Sequence, residues 1–517
     1  MSRAFGHALR SLDLGSALVA LSRRRTRATR LSAVTATPPA TDVAAAWGPS
    51  EVPTTALLTD MYELTMVRAA LRAGTANRRC VFELFARRLP AGRRYGVVGG
   101  VGRALRALRH FRFDEESLAF LRDREVVDQA MADWLADFRF SGDIWGYPEG
   151  EIYFPGSPIV IVESTFGEAV ILETLLLSIY NHDSAVASAA SRMTAMAGER
   201  PVIEMGSRRT HELAAVAAAR AAYIAGFAST SNLEAGRRYG VPVRGTAAHA
   251  FTLLHTSERE AFAAQIAELG EGTTLLVDTY DVFEAVKIGV ELTEGRLGAV
   301  RLDSGDLGPL AAQVRELLDS MGATHTRIVV TSDLDEFTLA ALSGAPVDGY
   351  GIGTALVTGS GHPTCEFVYK LVARAESDEL DAPWLAVAKK SVNKISVGGR
   401  KYALRRFSAE GTAVAEIIGI GEPPSGDSND RPLIVQLVDG GKIIGDESLE
   451  VMRERHVRSR AELPLEALKM SRGEPVIETL FASAGGDLPN PYRTEASGEL
   501  HAAGSVGDVI AGPTREQ

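Results

Sequence analysis

The stretch VPVRGTAAHAFTLLH, residues 241–255, sets a β-branched run against a glycine and follows it with a hydroxyl and an imidazole. Val241 and Val243 alternate around Pro242 and the run stops at Gly245, which predicts a buried parallel strand whose C-terminal end opens into a loop. That end is where α/β barrels carry their reactive groups, here Thr246 and His249. A lone histidine at such a place is more often a donor at a helix start than a reagent. The balance shifts because the same local design recurs downstream.

Strand patterns occur at PVIEMG from 201, AYIAGF from 222, TLLVDTY from 274, AVRLDSGD from 299, RIVVTSD from 327 and GYGIGT from 349, with helical periodicity at 210–222, 257–269 and 308–321. Strands alternating with helices predict a parallel sheet, and polar residues at nearly every strand end predict an irregular α/β barrel, with an open doubly wound sheet as the alternative. The strand ends present Arg208 and Arg209, Asp278 and Asp281, Arg301 and Asp303, Ser332 and Asp333, and Gly351, Gly353 and Thr354. Arg301, flanked by Val300 and Leu302, needs a partner for its charge, either Asp303 or an anionic ligand. The glycine turn of DGYGIGT is the candidate for holding a phosphate through main-chain N–H groups.

The 517-residue chain is 45% hydrophobic and 23% charged, enough to bury more than one core. A net charge of −11 argues against general nucleic-acid binding, which needs excess Lys and Arg. Two distant cysteines, Cys80 and Cys365, indicate neither a disulfide framework nor a zinc site, and fit a reducing cytoplasm. No apolar run is long enough to span a membrane. Residues 1–52 read as a disordered leader, with Arg23, Arg24, Arg25, Arg27 and Arg30 followed by a Thr/Pro/Ala-rich tract. Order begins near Thr54, with a helix capped at Thr59 and ended by Gly74, a strand in CVFELFARRLP, helix over 113–140, short antiparallel strands over 145–161 and a long helix over 169–196. The glycines of RRYGVVGGVG match neither a Rossmann nor a Walker spacing and read as structural.

In this order, TALLTDMYELTM, EMGSRRTHE, GTAAHAF, LLVDTYD, VRLDSGDL, TSDLDE and GYGIGTALVT resemble the nicotinate phosphoribosyltransferase family, over roughly residues 54–369. The resemblance implies a type II phosphoribosyltransferase: an irregular barrel (166–372) joined to a second α+β domain made from 53–165 and 373–517, where WLAVAKKSVNKISVGGRKYALRRF is the return. It further implies that nicotinate and phosphoribosyl pyrophosphate give nicotinate mononucleotide, the first salvage step towards NAD, with ATP as co-substrate, Mg²⁺ as cofactor and a homodimer as the working unit. His249 would then be the phosphorylated histidine, with Thr246 beside nicotinate and Tyr62 covering the ring from the neighbouring subunit. Arg208 and Arg301 would meet the substrate carboxylate and the phosphoribosyl group. Asp278 and Asp303 would hold ribose hydroxyls or a hydrated Mg²⁺, and Ser332, Gly351, Gly353 and Thr354 the 5′-phosphate. Ser231 in FASTSN replaces the carboxylate of the similar nicotinamide enzyme and so favours the acid, while Ser229 departs from a glycine common among relatives. Nicotinamide and quinolinate phosphoribosyltransferases are the neighbouring alternatives. A metal-dependent barrel hydrolase using Asp278, Asp303, Asp306 and His249 is the alternative from another class.

Overall fold

Six short strands, Val202–Glu204 (β1), Ser229–Thr230 (β2), Thr274–Leu276 (β3), Ala299–Leu302 (β4), Arg327–Thr331 (β5) and Gly349–Ile352 (β6), form one parallel sheet in the order β2-β1-β6-β5-β4-β3. Each strand beyond β1 lies beside its neighbour in sequence, and the last, β6, pairs with the first, β1. An open doubly wound sheet would reverse its order partway, so this circular order is that of a barrel. The computed structural model describes residues 54–389, 396–483 and 486–492; the leader expected at 1–52 and part of the expected C-terminal return, 390–395, lie outside them.

The barrel is incomplete at one place, and that place is the 241–245 stretch. It is not a buried strand: Val241 is buried, residues 242–245 are exposed, and a single parallel bridge joins Val243 to Thr230. Thr230 N–H donates to the Pro242 carbonyl and Arg244 N–H to the Thr230 carbonyl, each at 2.9 Å, while β3 pairs only with β4 among the described residues. With β2 on one side and no ladder on the other, the segment is an edge that proline can occupy. AYIAGF is also not a strand. Ala222–Ile224 finish the alanine-rich helix Glu212–Ile224, which propagates through the pattern until Gly226 (φ 111°) turns the chain. Alanines on that helix allow close contact with the 25-residue helix Glu173–Ala197 that backs the barrel.

A seven-stranded antiparallel sheet is built from both ends of the described chain. Arg79–Ala86 lies inside it between Phe367–Ala375 and the central strand Val160–Thr165, with Asp143–Gly146 and Val435–Asp439 beyond the latter. Its apolar face packs on helices that begin at acidic caps, Asp114 for Glu115–Asp123 and Asp128 for Gln129–Ala136, so the helix expected over 113–140 is two, broken where Glu125 takes a positive φ of 55°. The first helix, Met61–Ala73, starts at Asp60, one residue after the expected cap, and ends at Gly74 (φ 70°). The long helix is likewise preceded by a separate turn, Phe166–Val170. The glycine-rich 96–102 stretch is structural: a Cβ on Gly99 would meet the Asp183 carbonyl at 2.7 Å, and Gly100 and Gly102 N–H bind the Glu149 carboxylate at 2.6 and 2.8 Å.

A C-terminal helix, Leu449–Ala461, buries His456 against this frame, and burial, reinforced by the charge of Arg460, pushes its imidazole down to about 3. The folded state therefore refuses a proton that the unfolded chain takes below its ordinary value of about 6.5. Stability from this group is complete above that pH and falls as pH drops towards 3, by about 2 kcal/mol at pH 5. In urea unfolding at pH 7 and pH 5, His456→Gln is expected to lose less stability than the parent by about that amount. Equal losses in the two proteins would show that His456 does not set the acid limb.

Candidate active site

The centre of the mouth is Arg301, the third residue of β4, whose side chain is 13% exposed. Its Nε–H donates to Thr331 Oγ1 at the end of β5 (2.9 Å), Nη1 to Thr246 Oγ1 (3.0 Å) and the Ala247 carbonyl (3.3 Å), and Nη2 to Asp303 Oδ1 (3.0 Å). One N–H from Nε, two from Nη1 and one from Nη2 make four of the five guanidinium donors engaged. The Thr331 hydroxyl also donates to Asp303 Oδ1. Burial would raise the Asp303 pKa, but the hydrogen bonds from Thr331 and Arg301 outweigh it and hold the carboxyl below the ordinary range. Both partners anticipated for Arg301 are thus compatible: Asp303 is bound, and one N–H remains for a ligand.

His249 is the first residue of the short helix His249–Leu254. Its Nδ1 lies 3.1 Å from Thr279 Oγ1 and its Nε2 3.9 Å from Asp278 Oδ1. The other Asp278 oxygen accepts from Asp303 N–H (3.2 Å) and the Ser304 hydroxyl (2.5 Å). Glu258, which follows the cap Ser257 of helix Glu258–Leu269, is pushed up to about 7 by burial and then by the charges of Asp281 and Asp278. The floor beneath His249 is therefore acidic.

On the opposite side Glu204, fully buried at the end of β1, takes hydrogen bonds from Gly206 N–H and the Thr230 hydroxyl, which ties β1 to β2. Burial raises its pKa although both bonds oppose the shift. Asn232 Nδ2 donates to Ser207 Oγ at 2.9 Å, so the exposed Arg208 and Ser231 ride on adjoining turns. Ser229 lies in β2 without a positive φ, so the chain needs no glycine there. At the exit of β6 a Cβ on Gly351 would meet Thr331 Cγ2 at 2.5 Å and Met205 Sδ at 2.7 Å, which leaves room only for glycine. Gly353 caps the turn Thr354–Val357. Ser332 is exposed with φ 150°, a conformation costly for a residue with a Cβ, placed at the edge of the mouth.

The structure thus brings Thr246, His249, Asp278, Arg301 and Asp303 into one network and sets Ser332, Gly351, Gly353 and Thr354 along the same sheet edge. Tyr62 is not among them. It is 47% exposed on the first helix, where burial and then the charges of Glu173 and Glu63 raise its pKa against an opposing hydrogen bond with Thr174. Sequence reading missed Thr331, Thr279, Ser304 and Glu204. The first three share a signal, a hydroxyl just past a strand's apolar run and within two residues of an aspartate, in VVTSD, VDT and LDS.

Asp278 Oδ1 is a buried oxygen with no hydrogen-bond partner in the described residues, and Asp303 is partly exposed beside it, so this pair fits a hydrated Mg²⁺. Among the described residues no three His, Cys, Asp or Glu side chains converge as a metal-ligand set, so the cage that the hydrolase alternative required from Asp278, Asp303, Asp306 and His249 does not form. A magnesium ion held by one or two carboxylates and by substrate phosphates needs no such cage.

Solved structures resemble this fold: human nicotinic acid phosphoribosyltransferase (TM-score 0.71, 26% identity, 82% of this chain and 98% of that one) and nicotinate-nucleotide pyrophosphorylase from Pyrococcus furiosus (TM-score 0.64, 22% identity, 80% and 99%). The circular parallel sheet with its polar mouth, joined to a seven-stranded antiparallel sheet, has the type II phosphoribosyltransferase fold. Residues 57–181 match the family model described as the nicotinate phosphoribosyltransferase (NAPRTase) N-terminal domain. The chain is 57% identical over 432 residues to a nicotinate phosphoribosyltransferase of Mycobacterium tuberculosis, covering 82% of this chain and 94% of that protein, and 37% identical over 361 residues to that of Bacillus subtilis, covering 68% and 72%. It belongs to the nicotinate phosphoribosyltransferase family.

Proposed function

We propose that this chain joins the ring nitrogen of nicotinate to C1 of phosphoribosyl pyrophosphate, releasing pyrophosphate, and that ATP hydrolysis through His249 drives the reaction. The observation that carries the reading is the hydrogen-bonded run from Thr246 through Arg301 and Asp303 to Asp278, with His249 Nε2 3.9 Å from that carboxylate, which sets a guanidinium with a spare N–H and a candidate nucleophile on adjoining strand ends. The remaining Arg301 N–H and the Thr246 hydroxyl receive the nicotinate carboxylate. Ser231, on the adjoining turn, adds no charge to repel it, and Glu204 is buried with its oxygens occupied. Arg208 and the N–H groups of the Gly351–Thr354 turn take the phosphoribosyl group. Mg²⁺, held through water by Asp278 and Asp303, would neutralise the pyrophosphate.

In the coupling step the His249 nitrogen forms a bond to the γ-phosphorus of ATP as the bond to the bridging oxygen breaks and ADP leaves; water later cleaves the P–N bond. Asp278 beside Nε2 favours the tautomer with its proton there, leaving the Nδ1 lone pair, whose only partner among the described residues is the rotatable Thr279 hydroxyl. A homodimer would bring Tyr62 to the mouth of the neighbouring subunit. The exposed Leu57, Leu58, Met61 and Tyr62 on one side, and Leu253, Leu254 and Tyr280 on the other, support such a pairing of apolar surfaces. No helix among the described residues is long and apolar enough to cross a membrane.

The test is to supply purified protein with phosphoribosyl pyrophosphate and Mg²⁺, and either nicotinate or nicotinamide, with and without ATP. Nicotinate mononucleotide and pyrophosphate are expected in equal amounts, faster with ATP, with nicotinamide disfavoured at least about tenfold in kcat/KM. Absence of mononucleotide would sink the reading, and equal use of nicotinamide would sink the preference for the acid.

A further inference from the structure

A cleft of about 410 Å³ opens in the antiparallel domain, between the end of helix Val101–Arg109, the 139–140 segment and the hairpin around Gly441. Its volume lies within the roughly 300–1,000 Å³ of small-molecule sites. Three arginines line it, Arg109, Arg112 and Arg139, together with the part-exposed Ile443 and the buried edges of Phe111 and Phe140. The counter-charge is thin for three cations. Arg109 meets Asp446 at 3.8 Å on the exposed rim, Arg139 donates to the Phe138 carbonyl at 2.5 Å, and the half-buried Arg112 side chain makes no hydrogen bond or close ion pair among the described residues, its counter-charge being the more distant Asp114.

This local excess of positive charge stands in a chain whose net charge is −11. Nearby His110 registers it: burial, then the charges of Arg112, Arg109 and Arg106, hold its imidazole below the ordinary range. The wall is set before any ligand arrives. Gly441 N–H bonds the Gly142 carbonyl at 2.8 Å, and a Cβ on Gly441 would lie 2.2 Å from the Phe140 carbonyl, so the hairpin seats flush on the 140–142 backbone.

Three guanidinium groups with little counter-charge beside an apolar wall match an anion with an organic body, because the planar forks take phosphate oxygens while the wall takes the apolar part. We propose that this cleft is a second ligand site, separate from the barrel mouth, that binds a phosphate ester of mononucleotide size. Arg112, Arg109 and Arg139 hold the phosphate, and the part-exposed Ile443 with the arginine stems carries the base.

Photolabelling of the full chain with 8-azido-AMP and peptide mapping tests this, with AMP, adenosine and inorganic phosphate as competitors. Label is expected on peptides around 108–112 or 139–143, protected by AMP and not by adenosine, and reduced at least tenfold in Arg112→Ser and in Arg139→Ser. Both variants should keep the parent's melting temperature and basal transfer rate; Arg139 is exposed, so its variant remains informative if Arg112→Ser folds poorly. Label confined to barrel peptides, undiminished label in the variants, or equal protection by adenosine would overturn the proposal. Protection by inorganic phosphate as strong as that by AMP would also overturn it, since the cleft would then hold only a free anion.

Discussion

His249→Ala is expected to abolish ATP hydrolysis and ATP stimulation, lowering the ATP-coupled turnover by at least about a thousandfold, while slow ATP-independent formation of the mononucleotide persists. The split follows from geometry. His249 touches Thr279 and faces Asp278, whereas Arg301, Asp303, Thr331 and Thr246 are bonded to one another without it. Deleting the imidazole leaves that group in place, and substitution at C1 depends on positioning and charge stabilisation, which those residues supply. Label from γ-labelled ATP should be acid-labile and base-stable, and should map to His249 in the parent. Label on another residue, or full coupling in the alanine variant, would refute the assignment.

Arg301→Lys is expected to lower kcat/KM for nicotinate by about 10- to 150-fold, equivalent to about 1.5–3 kcal/mol, with the fold intact. An ammonium on a flexible stem cannot bond Thr331, Thr246 and Asp303 at once and still offer an N–H to a carboxylate. Positive charge is retained beside Asp303, so no buried carboxylate is stranded, and Asp303 also keeps its bond from Thr331. Unfolding of the variant would make Arg301 a structural ion-pair partner only. Unchanged kcat/KM would mean that its fifth N–H never meets substrate.

Much of the barrel was legible because its signals are local. PVIE, TLLV, AVRL, RIVVT and GYGI became β1, β3, β4, β5 and β6, and the three helices expected between strands fell within two residues of their spans, while Val282–Leu292 between β3 and β4 was not anticipated. Apolar runs that stop at Gly, Asp or Ser state both the strand and the end from which chemistry projects. Where the reading failed, neighbours in space decided. AYIAGF has a strand's composition but follows an alanine-rich run, and helix propagation costs less than nucleating a strand there. Thr331 was missed for a similar reason: the pleat and its partner β4 aim its hydroxyl at Arg301, while Ser332 beside it stays exposed at the edge of the mouth.

The sequence by itself determined the strand–helix alternation, the polar strand ends and, through its ordered motifs, the family, because each depends on residues close together in the chain. Only the tertiary structure decided that residues 241–245 form an open edge, that Glu204 joins β1 to β2, and that Tyr62 lies apart from His249 in one chain. It also decided that Arg79–Ala86 pairs with Phe367–Ala375, nearly three hundred residues away. Such pairings are set by which surfaces remain to be buried once the local elements exist, a competition among distant parts of the chain that no short window of sequence contains.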